Sequence, residues 1–180
     1  MRFEKVKRYE KEDIKLPERK TQASAGYDFY ASENIIIPPY HDQWDEILKC
    51  GMEKDFDGIS VSLSDMANIT KEANAKITLV PTGVKAILDE DKYLELSVRS
   101  SCPLKHWLVL GNGVGIIDAD YANNPDNDGE IFFQIINLSP FPIRINKGDS
   151  IGQGIIKQYY KIENDTVTTV RAGGFGSTNV

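Results

Sequence analysis

Apolar positions along this chain recur mostly with the two-residue period of β-strands. Short runs rich in β-branched residues stand at 35–37, 77–80, 84–88, 93–98, 130–137 and 143–145. Pro38-Pro39, Pro81-Thr82-Gly83, Gly111-Asn112-Gly113 and Lys147-Gly148-Asp149 punctuate them, and all four are turn chemistry. Many short strands at such spacing predict an all-β sandwich or barrel. Between Pro39 and Ala75 the pattern changes. Trp44, Ile47 and Leu48 share one helical face, with Asp42 as the expected N-cap and Gly51 as the expected stop. A helix that short must dock on something to persist in water. In the same stretch Ile59, Val61 and Leu63 alternate with Ser60 and Ser62, which predicts a strand. Residues 40–75 therefore read as an insertion, partly helical, into a β domain spanning 1–170. The last ten residues, 171–180, carry three glycines and little to bury, which predicts a flexible C-terminal arm.

Length and composition narrow the field. The chain has 180 residues, 41% hydrophobic and 27% charged, ordinary for one globular domain. Its formal net charge is −6, so it has no electrostatic reason to seek nucleic acid or an anionic membrane. The first fifteen residues are charged throughout, without the apolar core of a secretory signal, and no stretch approaches a membrane span. Cys50 and Cys102 are isolated, without the spacing of a disulfide framework or a zinc site. The expected location is the cytoplasm.

Five segments carry the candidate chemistry. They are Ala25-Gly26-Tyr27-Asp28-Phe29; Arg99-Ser100-Ser101; Asn112-Gly113-Val114-Gly115-Ile116-Ile117-Asp118-Ala119-Asp120-Tyr121; Lys147-Gly148-Asp149-Ser150-Ile151-Gly152-Gln153; and Gly173-Gly174-Phe175-Gly176-Ser177-Thr178. On residue chemistry alone, each has an ordinary alternative. The third could be a hairpin whose Asp118 and Asp120 merely hydrogen-bond the turn. Arg99 could belong to a surface ion pair. Asp28 could be a turn or interface carboxylate, and the tail a frayed end.

Taken together and in this order, the five segments resemble the trimeric dUTP pyrophosphatase (dUTPase) family. The resemblance implies a distorted jelly-roll-like β-barrel, a homotrimer with sites shared between subunits, and hydrolysis of dUTP to dUMP and pyrophosphate. That activity keeps uracil out of DNA and supplies dUMP for thymidylate synthesis. It also implies roles for residues. Backbone groups of the third segment, at Gly115 and Ile117, pair with the uracil edge in a slot too narrow for a 5-methyl group. Asn112 contacts uracil, and Tyr121 packs on deoxyribose where a 2′-hydroxyl would clash. Asp118 binds near the sugar 3′-hydroxyl and orients the attacking water as a base. Arg99, Ser100, Ser101 and Gln153 take the phosphates, with Arg99 offering a planar fork of donors. Phe175 stacks on uracil from the arm, while Gly176, Ser177, Thr178 and Arg171 face the outer phosphates.

Charge counting then implies Mg²⁺, because a triphosphate carries about four negative charges that oppose attack at its α-phosphorus. His41 and His106 lie far apart and no ligand cluster is spaced for a metal, which fits an ion held by phosphates and waters. Asp28 would reach it through water.

Four departures from the family pattern stand out. Ala122-Asn123-Asn124-Pro125-Asp126-Asn127-Asp128 replaces the single arginine that commonly follows the tyrosine, which removes an intersubunit contact. Val98 replaces a common proline. Arg171 lies one residue closer to Gly173 than usual, and the insertion is extra. The insertion could be a lid, an interface element, a docking site for a protein partner, or spare surface. Two other functions fit parts of the chain. One is dCTP deaminase, which shares the fold, but Gln134 occupies the place of its glutamate base and the arm is foreign to it. The other is a regulatory module that binds dUTP and captures a protein through the insertion.

Overall fold

A computed structural model describes residues 1–52, 61–75, 77–169, 171 and 173–174. Eleven strands are found among them: β1 (Arg2–Lys5), β2 (Tyr27–Tyr30), β3 (Ile35–Ile37), β4 (Thr78–Pro81), β5 (Val84–Ile87), β6 (Lys92–Ser97), β7 (Leu108–Leu110), β8 (Gly115–Asp118), β9 (Phe132–Asn137), β10 (Ile143–Ile145) and β11 (Ser150–Gln158). Three α-helices interrupt them, α1 (Tyr40–Met52), α2 (Leu63–Glu72) and α3 (Ser101–His106). The strands pair antiparallel in four small sheets: β2-β11-β6-β8, β4-β9-β7, β1-β5 and β10-β3. The fold is all-β as expected, but hydrogen-bonded ladders do not run continuously around it.

One core joins the sheets. Phe29 of β2 and Phe133 of β9 are fully buried, with ring centroids 5.7 Å apart. Leu94, Leu96, Val80, Val84, Ile131 and Ile135 surround them. Two glycines of β11 make that meeting possible. A Cβ on Gly152 would lie 2.0 Å from the Phe133 ring, and one on Gly154 would lie 2.8 Å from both Phe29 and Leu94. Bare backbone at alternate positions of one strand gives the two rings their space.

The 40–75 region departs from expectation in three ways. The first helix begins at Tyr40, so Asp42 lies in its first turn rather than capping it, and it runs through Gly51 rather than stopping there. Gly51 faces the buried Ile69 of α2, and a Cβ there would make only an ordinary contact, 3.9 Å from the Ile69 Cδ1. The expected strand does not form. Ile59 lies outside the described residues, Val61 is in coil, and Leu63 opens α2. Ser62 decides the matter: its Oγ accepts from the Asp65 amide at 3.1 Å, an N-cap that outweighs three alternating apolar residues. The strand Arg2–Lys5 and the short α3 were not legible, because charged side chains cover the first and six residues show no period in the second.

If the two rings need this seam, Gly152→Ala should destabilise the protein by about 1–3 kcal/mol through overpacking. A urea midpoint unchanged from wild type would show that Phe133 can move aside.

Candidate active site

The segment expected to form a hairpin does something else. Strands β7 and β8 flank the Gly111–Val114 turn but do not pair with each other: β7 joins β9, and β8 joins β6. The chain turns a corner between two sheets. Gly113 supplies the positive φ of +68° that the corner needs, with its amide on Leu110 O at 3.0 Å. The Gly111 amide ties the corner to Gln134 O at 2.7 Å. A cavity of about 230 Å³ opens inside the corner.

That cavity gathers Asn112, Gly115, Ile117, Asp118, Tyr121 and Arg171 from the sequence-predicted set. Gly115 forms its wall tightly, since a Cβ there would lie 3.1 Å from Leu96 Cβ. Phe132 and Gln134 of β9 line it as well. Sequence reasoning did not assign them to the site, although their alternation with the buried Phe133 and Ile135 is the signal that would have placed them on an outward face. The Gln134 side chain thus borders the slot in the place where the deaminases were expected to differ.

Tyr121 is buried against this slot and held by its hydroxyl, which donates to Glu130 O at 2.9 Å and accepts from Asn127 Nδ2 at 2.7 Å. Burial raises its pKa, so it remains a neutral phenol. The residues that replace the missing arginine form this support. Asn124 donates to Tyr121 O and Asn127 Oδ1, both at 2.8 Å. The buried Lys85 ammonium reaches Asn123 Oδ1 at 2.6 Å and Asp128 Oδ1 at 3.1 Å. Glu130, almost fully buried, takes Arg8 Nε at 2.8 Å and the Gly83 amide at 3.0 Å. Burial raises its carboxyl pKa despite that pairing.

The carboxylate Asp118 ends β8, and its side chain is half exposed. Its Oδ2 accepts from Arg171 Nη2, and Arg171 Nε donates to Asp120 Oδ1 at 2.8 Å. The ordinary alternative for the two aspartates, hydrogen bonding within their own turn, is not what the structure shows.

A second group lies elsewhere on the chain. Gln153 of β11 stands opposite Asp28 of β2 on one side and Ser97 of β6 on the other. The Arg99 Nε lies 3.6 Å from Asp28 Oδ1. Gln153 also lies against Gly26, where a Cβ would sit 2.6 Å from its Oε1. Arg99 and Ser101 border a larger cavity, about 400 Å³, with Cys102, His106, Arg144 and Ser150. Ser100 is exposed beside it. Phe175, Gly176, Ser177 and Thr178 lie outside the described residues.

No group of three or more His, Cys, Asp or Glu among the described residues is arranged to hold a metal ion. The Asp28 Oδ2 is nonetheless buried without a hydrogen-bond partner, an acceptor suited to a metal-bound water. No described helix is long and apolar enough to cross a membrane.

Comparison with known proteins identifies the class. The protein is similar over 98% of its length to deoxyuridine 5′-triphosphate nucleotidohydrolases of Lactococcus lactis, at 34% identity and 95% of that protein, and Rickettsia felis, at 32% and 96%. Its fold matches a dUTPase from Streptococcus mutans with a TM-score of 0.67 at 33% identity, covering 90% of this chain and 98% of that one. At 18% identity it shares the fold of a dUTPase from phage phi11 of S. aureus described with a structural Mg(II) ion, with a TM-score of 0.58 over 93% and 96% of the two chains. The dUTPase family profile matches residues 58–180, and the chain belongs to that family.

The support beneath Tyr121 has a pH signature. Burial works against the charge of Asp128, but the Lys7 amide and the Lys85 ammonium outweigh it and hold the carboxyl below its ordinary value. A carboxyl so depressed stabilises the fold above its unfolded pKa of about 3.9 and loses that contribution as pH falls through the folded value. The stability gap between wild type and Asp128→Asn should therefore be full at neutral pH and shrink below about pH 4. Urea midpoints across pH measure it, and a gap independent of pH would remove Asp128 from the support.

Proposed function

We infer that this enzyme hydrolyses dUTP to dUMP and pyrophosphate by water attack at the α-phosphorus. The observation that carries the site assignment is the 230 Å³ slot, where Asn112, Gly115, Ile117, Asp118 and Tyr121 line one cavity. Backbone groups at Gly115 and Ile117 pair with the uracil edge in a slot too narrow for a 5-methyl group. Tyr121 is the sugar platform. Its hydroxyl is already committed on both sides, so it selects by packing and not by hydrogen bonding. Asp118 accepts from the sugar 3′-hydroxyl side and takes the proton of the attacking water as base.

Arg99, Ser100, Ser101 and Gln153 bind the triphosphate, and the arm residues Phe175, Gly176, Ser177 and Thr178 close over base and phosphates. Mg²⁺ supplies neutralisation of phosphate charge when bound, with Asp28 reaching it through water. Its buried, unpartnered Oδ2 supports that role.

The site is shared between subunits of a homotrimer. The supporting observation is topological. Phe132 and Gln134 of β9 face the slot, while Ile135, one residue on, borders the cavity of Arg99. Successive strand residues point to opposite faces, so the nucleoside slot and the Arg99 cavity of one chain lie on opposite sides of β9. A second chain brings its Arg99 group to this slot. The protein works in the cytoplasm. The 40–75 insertion leaves Trp44, Leu48 and Leu63 exposed and is the place for any protein partner.

A pyrophosphate-release assay across dUTP, dCTP, dTTP and UTP tests the activity, with dUTP expected to be the only efficient substrate. Equal rates with dTTP would refute the narrow slot. Asp118→Asn should keep dUTP affinity within about tenfold and lower turnover by roughly 10²–10⁴. Near-normal turnover in that variant would take Asp118 out of the mechanism.

A further inference from the structure

Glu130 is 1% exposed, and the chemistry of the slot uses neither of its carboxylate oxygens. A carboxylate taken that far out of water stays charged only beside a cation. The cation comes from 122 positions earlier in the chain. Pairing of β1 with β5, continued by the Val6 amide on Gly83 O at 3.0 Å, brings the start of the chain to this place. The single turn at Lys7–Tyr9 then presents Arg8 to Glu130. Its Nε lies 2.8 Å from Oε2 and its Nη2 donates to Oε1 at 3.0 Å, so a planar fork of donors meets both acceptors.

The same guanidinium faces two aromatic rings. Its Cζ stands 4.6 Å from the centre of the Tyr9 ring and 5.9 Å from that of Phe132. Tyr9 is buried and its hydroxyl donates to Glu33, so this ring is a fixed backing. Phe132 is only partly buried, and it lines the slot. A cation within about 6 Å of a ring centre attracts the ring face, which restrains how the ring sits. Arg8 is not among the residues that line the cavity, so it acts on the cavity through the ring. Glu130 provides a second route. Its backbone oxygen accepts the Tyr121 hydroxyl at 2.9 Å, and Tyr121 is another wall of the same cavity.

We propose that Arg8 is a positioning residue for the nucleoside slot: one guanidinium restrains Phe132 by its ring and Tyr121 through Glu130, so two walls of the cavity are set from a single point near the start of the chain. The inference rests on the reading that the slot binds the nucleoside. Arg8 touches neither Asp118 nor the phosphate ligands. Its loss therefore weakens a contact made equally in the ground state and the transition state, which raises KM and leaves kcat in place.

Steady-state kinetics with dUTP and UTP, together with urea midpoints, test it. The proteins are wild type, Arg8→Gln, Arg8→Lys, the paired variant Arg8→Gln/Glu130→Gln, Phe132→Leu, Tyr121→Ala and Tyr9→Phe. Arg8→Gln should raise KM for dUTP about three- to tenfold with kcat within about twofold. Its dUTP/UTP ratio of kcat/KM should fall as Tyr121 loses its hold. Arg8→Lys should fall between, because a point charge cannot take both carboxylate oxygens. The paired variant leaves no unpaired buried charge and should keep the raised KM while its urea midpoint recovers. It carries the same test where Arg8→Gln is too unstable to assay. Added to Phe132→Leu, Arg8→Gln should have less than its full effect on KM, since residues that act through one contact do not add. Tyr9→Phe keeps the ring beneath Arg8, removes only the bond to Glu33, and should lower the urea midpoint without moving KM.

A KM that stays at the wild-type value in Arg8→Gln, or returns to it in the paired variant, would make Arg8 only a neutraliser of Glu130 and overturn the proposal. Loss of kcat in place of a rise in KM would overturn it too, as would full additivity with Phe132→Leu. If Phe132→Leu and Tyr121→Ala both leave KM and the dUTP/UTP ratio unchanged, the nucleoside slot itself is misplaced, and the proposal goes with it.

Discussion

The meeting of Phe29 and Phe133 over the bare backbone of Gly152 and Gly154 is the constraint on which the rest of this structure depends. It fixes the separation of the sheets that hold β2 and β9. It also fixes the facing of β9. With Phe133 and Ile135 pinned inward, Phe132 and Gln134 must point outward, and the slot has its floor on the reverse side of the core. A one-residue slip of β9 would put Phe133 and Ile135 where the slot is and Gln134 in the core. Apolar packing that looks purely structural therefore sets the position of the cavity.

A polar constraint works beside the apolar one. Tyr121 faces the slot with its ring, yet its hydroxyl ends in a dense network of Glu130, Asn127, Asn124, Asn123, Asp128 and Lys85. Removing one partner from such a buried network leaves an unpaired charge, which costs about 3–5 kcal/mol, whereas the complete network is close to neutral in stability. Its value lies in fixing one rotamer of one ring. The 122–128 turn thus forms an internal prop for Tyr121, and Lys85 contributes a cation to it from within the same chain.

How much of this was legible in the sequence varies by element. The strands with alternating β-branched residues, such as β5, β6 and β9, stood within one or two residues of their expected places, because their inward positions reach a single core. The strand β1 was hidden by Arg2, Glu4 and Lys5, charged side chains that can leave the sheet for solvent. The second helix was misread as a strand since three apolar alternations outweighed the Ser62–Asp65 cap, a signal that was present in the sequence. The site divided the same way. Asn112, Gly115, Ile117, Asp118 and Tyr121 are contiguous, so one local motif carried them into one cavity. Phe132 and Gln134 came to the slot by tertiary register, which a motif does not contain, and the pairing of Asp118 with Arg171 spans 53 positions of chain. The corner in place of a hairpin has the same origin: pairing partners of β7 and β8 are chosen by the core, and the turn between them is only permissive.

The electrostatics of the slot explain why an acidic chain can handle a polyanion. Asp118 and Asp120 at the mouth would repel a polyanion if both stood uncompensated, and Arg171 pairs with both. Arg171 sits three residues before Gly174, in a stretch with no side chain large enough to anchor it in the core. Arg99 borders the cavity across β9, its Nε 3.6 Å from Asp28 Oδ1, and Gln153 stands opposite Asp28 on β11. One chain therefore carries a slot with Arg171 at its mouth and, across β9, a second cavity bordered by Arg99.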